Sequence, residues 1–171
     1  DFESGSFSEY LCDFWTPKKS LYIQERRSHG HGCTERYCDD MRRIAEGRFV
    51  PYFGSMKIAD ISEDVLNRFF MELRNGQKLA AATVNKSIVC AQVALEFAKR
   101  KRWIASSPAA GIEKFSAEQR DLGIPTDEEV SKLFRLDWHD PVSKMANMRA
   151  AFCGMRIAEI QALRFCDVEE H

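Results

Sequence analysis

The sequence of 171 residues lacks the features of a membrane or secreted protein. No apolar run approaches the roughly 18 residues a membrane span needs, and no signal-peptide pattern opens the chain. A cytoplasmic protein without membrane contact is the expectation. Six cysteines (Cys12, Cys33, Cys38, Cys90, Cys153 and Cys166) show no paired spacing. Cys12, Cys90 and Cys153 fall in apolar helical patterns, so the cysteines read as reduced core thiols. The first half carries no strand signal. The net charge of −1 shows no excess of one sign and does not by itself suggest nucleic acid.

What is present fits a globular protein of one domain, or one domain plus part of another: 44% hydrophobic and 30% charged residues. The charge is unevenly spread. The stretch 65–112 holds Arg68, Arg74, Lys78, Lys86, Lys99, Arg100, Lys101 and Arg102 against Glu72 and Glu96, a surplus of six positive charges. From Glu113 onward, acids outnumber bases by four. A basic part joined to an acidic part is the asymmetry expected of a DNA binder, and a solvated helix face is the alternative.

Apolar spacing predicts a series of helices. Phe7 to Trp15 is the first, with Ser6 as a cap; Thr16-Pro17 stops it. Ser20 to Arg27 is a second short one. Thr34 caps a third running to about Arg48, with Tyr37, Met41, Ile44 and Ala45 inward. Residues 49–54 read as a turn. Ser62 caps a helix from Glu63 to about Arg74 that buries Val65, Leu66, Phe69, Phe70 and Leu73. A long helix follows from about Ala81 to Arg102, after which Trp103-Ile104 packs back and Ser107-Pro108 breaks the chain. This half reads as a four-helix bundle. Residues 111–125 are polar and read as a linker. Thr126 to Glu129 is a capping box whose helix buries Val130, Leu133 and Phe134. Residues 138–142 read as a turn, and Lys144 to Phe152 as a helix.

The most telling stretch is 150–168, AAFCGMRIAEIQALRFCDV. Gly154 is a C-cap and turn signal between two helices. Met155-Arg156 opens the second, with Ile157, Ile160, Ala162 and Leu163 as its apolar stripe. An Arg in a first helical turn opposes the dipole. Arg156 is therefore either a tolerated surface residue or one placed to meet an anion such as phosphate. His29 and His31, with Cys33 and Cys38, match no common metal-site spacing.

Gly154, Met155, Arg156, Glu159, Ile160, Leu163 and Asp167 resemble the run that carries the first catalytic Arg of the tyrosine recombinases, the phage-integrase family. Cys153 stands where Thr is usual and Phe165 where Trp is usual. Upstream, Tyr52-Phe53-Gly54, Ile58, Ile61-Ser62, Phe69-Phe70, Leu73, Thr83-Val84-Asn85, Leu95-Glu96-Phe97-Ala98, Ile104 and Ser107-Pro108-Ala109 resemble that family's core-binding domain in the same order. Ser107 replaces the usual Asn. The resemblance covers about Phe7 to Val168.

The resemblance implies an all-α chain as present. A SAM-like four-helix core-binding domain would span residues 1–110, a linker 111–125, and the start of an α+β catalytic domain 126–171. It implies a parent, bacterial or phage-encoded, that breaks and rejoins DNA through a phosphotyrosine, with no cofactor or metal. Double-stranded DNA would be the partner, with self-association on it, a tetramer in the family. Arg156 would be the one catalytic residue assignable, with Glu159 supporting it. The chain stops before the family's Lys, His-x-x-Arg and Tyr, so binding without cleavage is expected. The family presents two helix starts to the major groove. Here these would be Thr34 with Arg36, and Thr83, Asn85, Lys86 and Ser87, while Lys99, Arg100, Lys101 and Arg102 would track the backbone. Capping alone is the other reading of Thr34 and Thr83. The rival functions are a naturally truncated homologue that regulates recombination, and an all-α protein-interaction bundle without DNA contact. An uncovered apolar face, including Leu133, Phe134, Ile160 and Leu163, is expected on the helices from Thr126 to Phe165, leading to dimerisation, segment exchange or local disorder.

Overall fold

The computed structural model describes residues 2–116, 123–164 and Asp167. The expected linker residues Gln119, Arg120 and Asp121, and the strand expected after Phe165, lie outside the described residues. The chain divides into two compact units, Asp1–Glu118 and Gln119–His171. Among the described residues every regular element is helical, and the β contact present is an isolated antiparallel bridge, Ser6 with Lys57. Among them, no helix is long and apolar enough to cross a membrane.

In the first unit hydroxyl caps set the helix starts, at Ser6 and Thr34 as expected and at Ser20, which was expected inside its helix. Ser6 accepts from Glu9 N ahead of α1 (Phe7–Phe14), Ser20 from Ile23 N ahead of α2 (Leu21–Ser28), and Thr34 from Tyr37 N ahead of α3 (Glu35–Ile44). Each side chain satisfies one of the amides that a helix start leaves without a partner. Residues 49–54, expected as a turn, instead continue the helix. The path widens into a π turn at Ala45–Phe49, runs on as α4 (Val50–Phe53) and ends at Gly54, whose φ of +52° suits glycine. The wide turn lies just before Pro51, where a regular α ladder would need the missing amide and would clash with the ring. Sequence spacing marks the proline as a breaker but does not show the bulge that absorbs it.

Ser62 caps α5 (Glu63–Met71), which continues as a second π turn at Glu72–Gly76. Then α6 (Ala81–Arg100) crosses the unit. It ends two residues earlier than its apolar pattern predicts. Trp103 N donates to Ala98 O and Arg102 N to Lys99 O, both at 2.9 Å, with Arg102 in the left-handed region at φ +60°. This is a Schellman closure with arginine at the position glycine usually takes. It folds Trp103 back onto Phe97 and Phe2.

The core is aromatic. Phe49 sits against Phe7, Phe53, Phe69 and Phe70 at centroid distances of 4.7–6.3 Å, and Trp15 is fully buried with its indole N–H donating to Cys90 O at 3.3 Å. Leu66, Phe69, Phe70 and Leu73 are buried as expected, while Val65 is half-buried. Tyr37, expected inward, is 38% exposed and meets Trp15 only by its ring edge. The short α2, whose one buried residue is Ile23, lies where the second short helix is expected.

In the second unit, Thr126 and Glu129 form the expected capping box: Glu129 N donates to Thr126 Oγ1 at 3.3 Å and Thr126 N to Glu129 Oε2 at 2.8 Å. It starts α7 (Asp127–Arg135). The next helix, α8 (Pro141–Cys153), begins three residues before the expected Lys144. Asp140 caps it by accepting from Val142 N and Ser143 N, and Pro141 occupies the first helical position, where its missing amide costs nothing. Gly154 ends α8 at φ +66°, as the Gly signal predicts, and α9 (Ile157–Ala162) follows.

No described residue of this unit is buried. Val130, Leu133 and Phe134, expected in a core, are half-buried or exposed, and Cys153 is exposed rather than a core thiol. Three short helices cannot enclose an interior. Phe134 stacks on Trp138 and meets Phe152, and Leu136, Val142, Met145, Phe152 and Ile157 are exposed; of the residues expected on an uncovered face, Leu133 is exposed while Phe134, Ile160 and Leu163 are half-buried.

Candidate nucleic-acid interface

In the first unit the two candidate helix starts belong to an antiparallel pair. The Arg48 guanidinium, just beyond α3, donates through Nη1 to Thr83 O at 3.2 Å and to Ser87 Oγ at 2.7 Å, near the start of α6. Met41, further back along α3, meets Cys90, further on along α6, through a thiol–carbonyl contact of 3.6 Å. Numbers rise along one helix as they fall along the other. Thr34 and Arg36 therefore lie at one end of the pair and Thr83 and Lys86 at the other, roughly 20 Å apart at 1.5 Å per residue.

Thr34 and Arg36 are exposed, Thr34 with its hydroxyl committed to the cap. Arg36 and Arg43 share a stripe on α3 with Asp40 between them, and neither arginine has an ion-pair partner among the described residues. At the other end the predicted set divides. Lys86 is exposed and unpaired among the described residues. Thr83 is half-buried in the first turn of α6; the N-cap is Ala80, so capping by Thr83, the alternative reading, does not occur. Ser87 is fully buried, its hydroxyl accepting from Arg48, and it has no face to offer DNA. Asn85 is spent on the chain itself: its Nδ2 donates to Phe115 O at 2.8 Å, and Phe115 N donates to its Oδ1 at 2.9 Å. The run at 83–87 reads as a helix start aimed at a ligand, but helical rotation turns Ser87 inward and Asn85 sideways.

Arg48 escaped sequence reasoning. It lies half-buried between α3 and α6 without a carboxylate partner, and burial pulls its guanidinium below the usual arginine range. Its signal in the sequence was faint: a lone arginine between Ala45 and Phe49, both fully buried, where spacing alone leaves the cation on the surface.

The 99–102 cluster is largely neutralised. Arg100 pairs with Glu25 at 3.2 Å, Lys101 contacts the same carboxylate, and Lys99 faces Glu96 at 3.8 Å. The Lys101 hydrogen bond holds the Glu25 carboxyl below its usual range. Arg102 is exposed and has no carboxylate partner among the described residues, but the Schellman turn displaces it from the helix, away from the course the other three follow.

In the second unit, Arg156 is the N-cap of α9, not a first-turn residue, with extended backbone and a side chain 88% exposed. Its amide donates to Glu159 Oε2 at 2.8 Å, and its guanidinium is 3.9 Å from the other carboxylate oxygen. Glu159 thus ties down the helix start, while the guanidinium stays open to solvent. An exposed pair at that distance contributes little to stability. No three His, Cys, Asp or Glu side chains converge as a metal site among the described residues: His29 and His31 are exposed in their loop, and Cys33 and Cys38 turn inward against each other.

Comparison with family models, with curated proteins and with solved structures finds no match to this chain.

Proposed function

We propose that this chain binds double-stranded DNA as the core-binding portion of a tyrosine site-specific recombinase, joined to the first helices of the catalytic domain. The first unit is the SAM-like DNA-binding bundle of this reading, and the cytoplasmic, bacterial or phage-encoded parent exchanges strands through a phosphotyrosine. The observation that carries the proposal is the set of unpaired cations flanking the α3–α6 pair: Arg36 and Arg43 along α3, Lys86 at the far end. Cations left without carboxylates keep their charge available for phosphates, whereas Lys99 to Lys101 are already engaged. Arg156 is the one residue here with a proposed catalytic role, gripping phosphate; Glu159 positions it. The four tyrosines all lie in the first unit, outside the part assigned to the catalytic domain, so binding without a covalent adduct is the activity proposed for these residues.

The experiment is fluorescence anisotropy of the full chain with duplex DNA over a salt series. Arg36→Ala and Lys86→Ala each lower the salt slope by about 0.9, the value for one phosphate contact, and Lys101→Ala leaves it unchanged. Binding that is absent at low salt, or insensitive to salt, would overturn the proposal. A second reading, a protein-interaction bundle, is favoured by the uncovered apolar residues of the second unit; self-association on DNA would join the two readings.

A further inference from the structure

The turn that starts α3 is closed by two sulfurs. Thr34 is the N-cap; Cys33 precedes it, and Cys38 sits one turn into the helix. These are the positions of a hydrophobic staple, where an apolar residue before the cap rests on one in the fourth helical position. Here the two Sγ atoms are 3.3 Å apart. Cys38 is fully buried and Cys33 is 8% exposed, within a small cluster that includes Ile23 and Tyr22. A staple requires only apolar contact, which valine or leucine would supply. Two thiols in contact add redox chemistry that the staple does not need.

We propose that Cys33 and Cys38 form a redox-modification site, at which a low-molecular-weight disulfide such as oxidised glutathione converts the pair to an intrachain disulfide closing the capping turn of α3. Cys33, the thiol with residual exposure, loses its proton to solvent, and its thiolate attacks one sulfur of the oxidised glutathione. That S–S bond breaks, one glutathione leaves as thiolate and takes up a proton, and a mixed disulfide remains on Cys33. Cys38 then loses its proton and attacks the Cys33 sulfur, expelling the second glutathione, which is protonated in turn. Two cysteine thiols are oxidised by two electrons, and one glutathione disulfide is reduced to two thiols. The sulfurs close from 3.3 Å to about 2.05 Å. Burial first, and the hydrogen bond with Cys33 second, push the Cys38 thiol up to about 12. The second step is therefore slow near neutral pH and quickens as pH rises. The closed disulfide ties the residue before the cap covalently to the first full turn, on either side of Thr34 and Arg36.

The test uses the folded full chain and its own arginines. Trypsin cuts after Arg36, separating peptide 28–36, with Cys33, from peptide 37–42, with Cys38. The chain is incubated in native buffer with oxidised glutathione, raised until the exposed Cys153 carries glutathione. Free thiols are then blocked and the digest is read by mass spectrometry. The expected product is the two peptides joined, lighter by two hydrogens than their sum, and separated by dithiothreitol. Separate peptides, with blocked thiols or with one glutathione each, would overturn the proposal. So would a linkage that forms only in denaturant.

Discussion

Asn85→Ala separates a structural role from a DNA-contacting one. The Asn85 amide matches the backbone of Phe115 at both ends, donating to its carbonyl at 2.8 Å and accepting from its amide at 2.9 Å. Both bonds are partly buried, and they fasten the chain after the bundle to the first turns of α6. Each is worth about 1 kcal/mol net, and water reaching a partly buried backbone limits any further penalty, so the loss is about 2 kcal/mol. In a unit of this size that lowers Tm by about 8 °C. Circular dichroism during heating reads the first effect, and the salt dependence of duplex binding reads the second. The expected result is a lower Tm with an unchanged salt slope. An unchanged Tm with a weaker or less sequence-selective complex would refute the reasoning, because it would mean that the amide faces DNA and not Phe115. Asn85→Asp sharpens the contrast: it keeps the acceptor but sets a carboxylate oxygen against the Phe115 carbonyl, and should cost more than the alanine.

Three further outcomes are expected. Arg102→Gly raises stability by about 0.5–1 kcal/mol, since the exposed arginine holds the left-handed conformation at φ +60° and glycine does so without the side-chain clash; a lower Tm would show that the arginine makes contacts that outweigh its backbone strain. Tyr10→Phe costs about 1 kcal/mol by deleting the 2.7 Å bond from the phenol to Ala94 O. Burial raises the Tyr10 phenol, so the fold favours its neutral form: that stability is complete below about pH 10 and is lost as pH rises above it. Urea titrations at pH 8 and above pH 10 should therefore show a shallower alkaline decline in the variant, and an identical decline would refute the assignment. Finally, the wild-type chain self-associates with rising concentration in sedimentation velocity, and Leu136→Glu with Phe152→Glu reduces this; a wild type that stays monomeric throughout would argue that the exposed apolar face is inert.

Helix starts capped by a hydroxyl were legible because they depend on local chemistry, whereas the Asp140 start of α8 and the Arg156 cap of α9 were not. Ser6, Thr34, Ser62 and Thr126 each cap where a hydroxyl precedes an amphipathic run, and each bond closes within three residues. Helix ends were less legible. The π turns before Pro51 and after Met71 are backbone solutions without a residue signature, and the turn at Arg102 uses arginine where glycine is the readable sign. The buried face of α7 was misread because amphipathic spacing reports which face would bury, not whether anything covers it; Leu133 remains 45% exposed.

The candidate interface was legible in residue type and not in geometry. Of the eight cations that give the stretch 65–112 its positive surplus, Arg68, Lys99, Arg100 and Lys101 have carboxylate partners, and Asp64 and Glu25, which serve three of them, lie outside that stretch. A window along the chain counts charges, whereas phosphate attraction depends on which charges remain unpaired after folding. The same gap affects the two helix starts. Nothing in the sequence sets their separation, but the Arg48–Thr83 and Met41–Cys90 contacts make the pair antiparallel and put Arg36 and Lys86 at opposite ends. Roughly 20 Å is more than half the ~34 Å of one duplex turn. The two ends cannot read one base step; if both touch DNA, the duplex must run along the α3–α6 axis. Arg36→Ala and Lys86→Ala should then each lose ethylation interference at different phosphates, and loss at the same phosphates in both variants would exclude that arrangement.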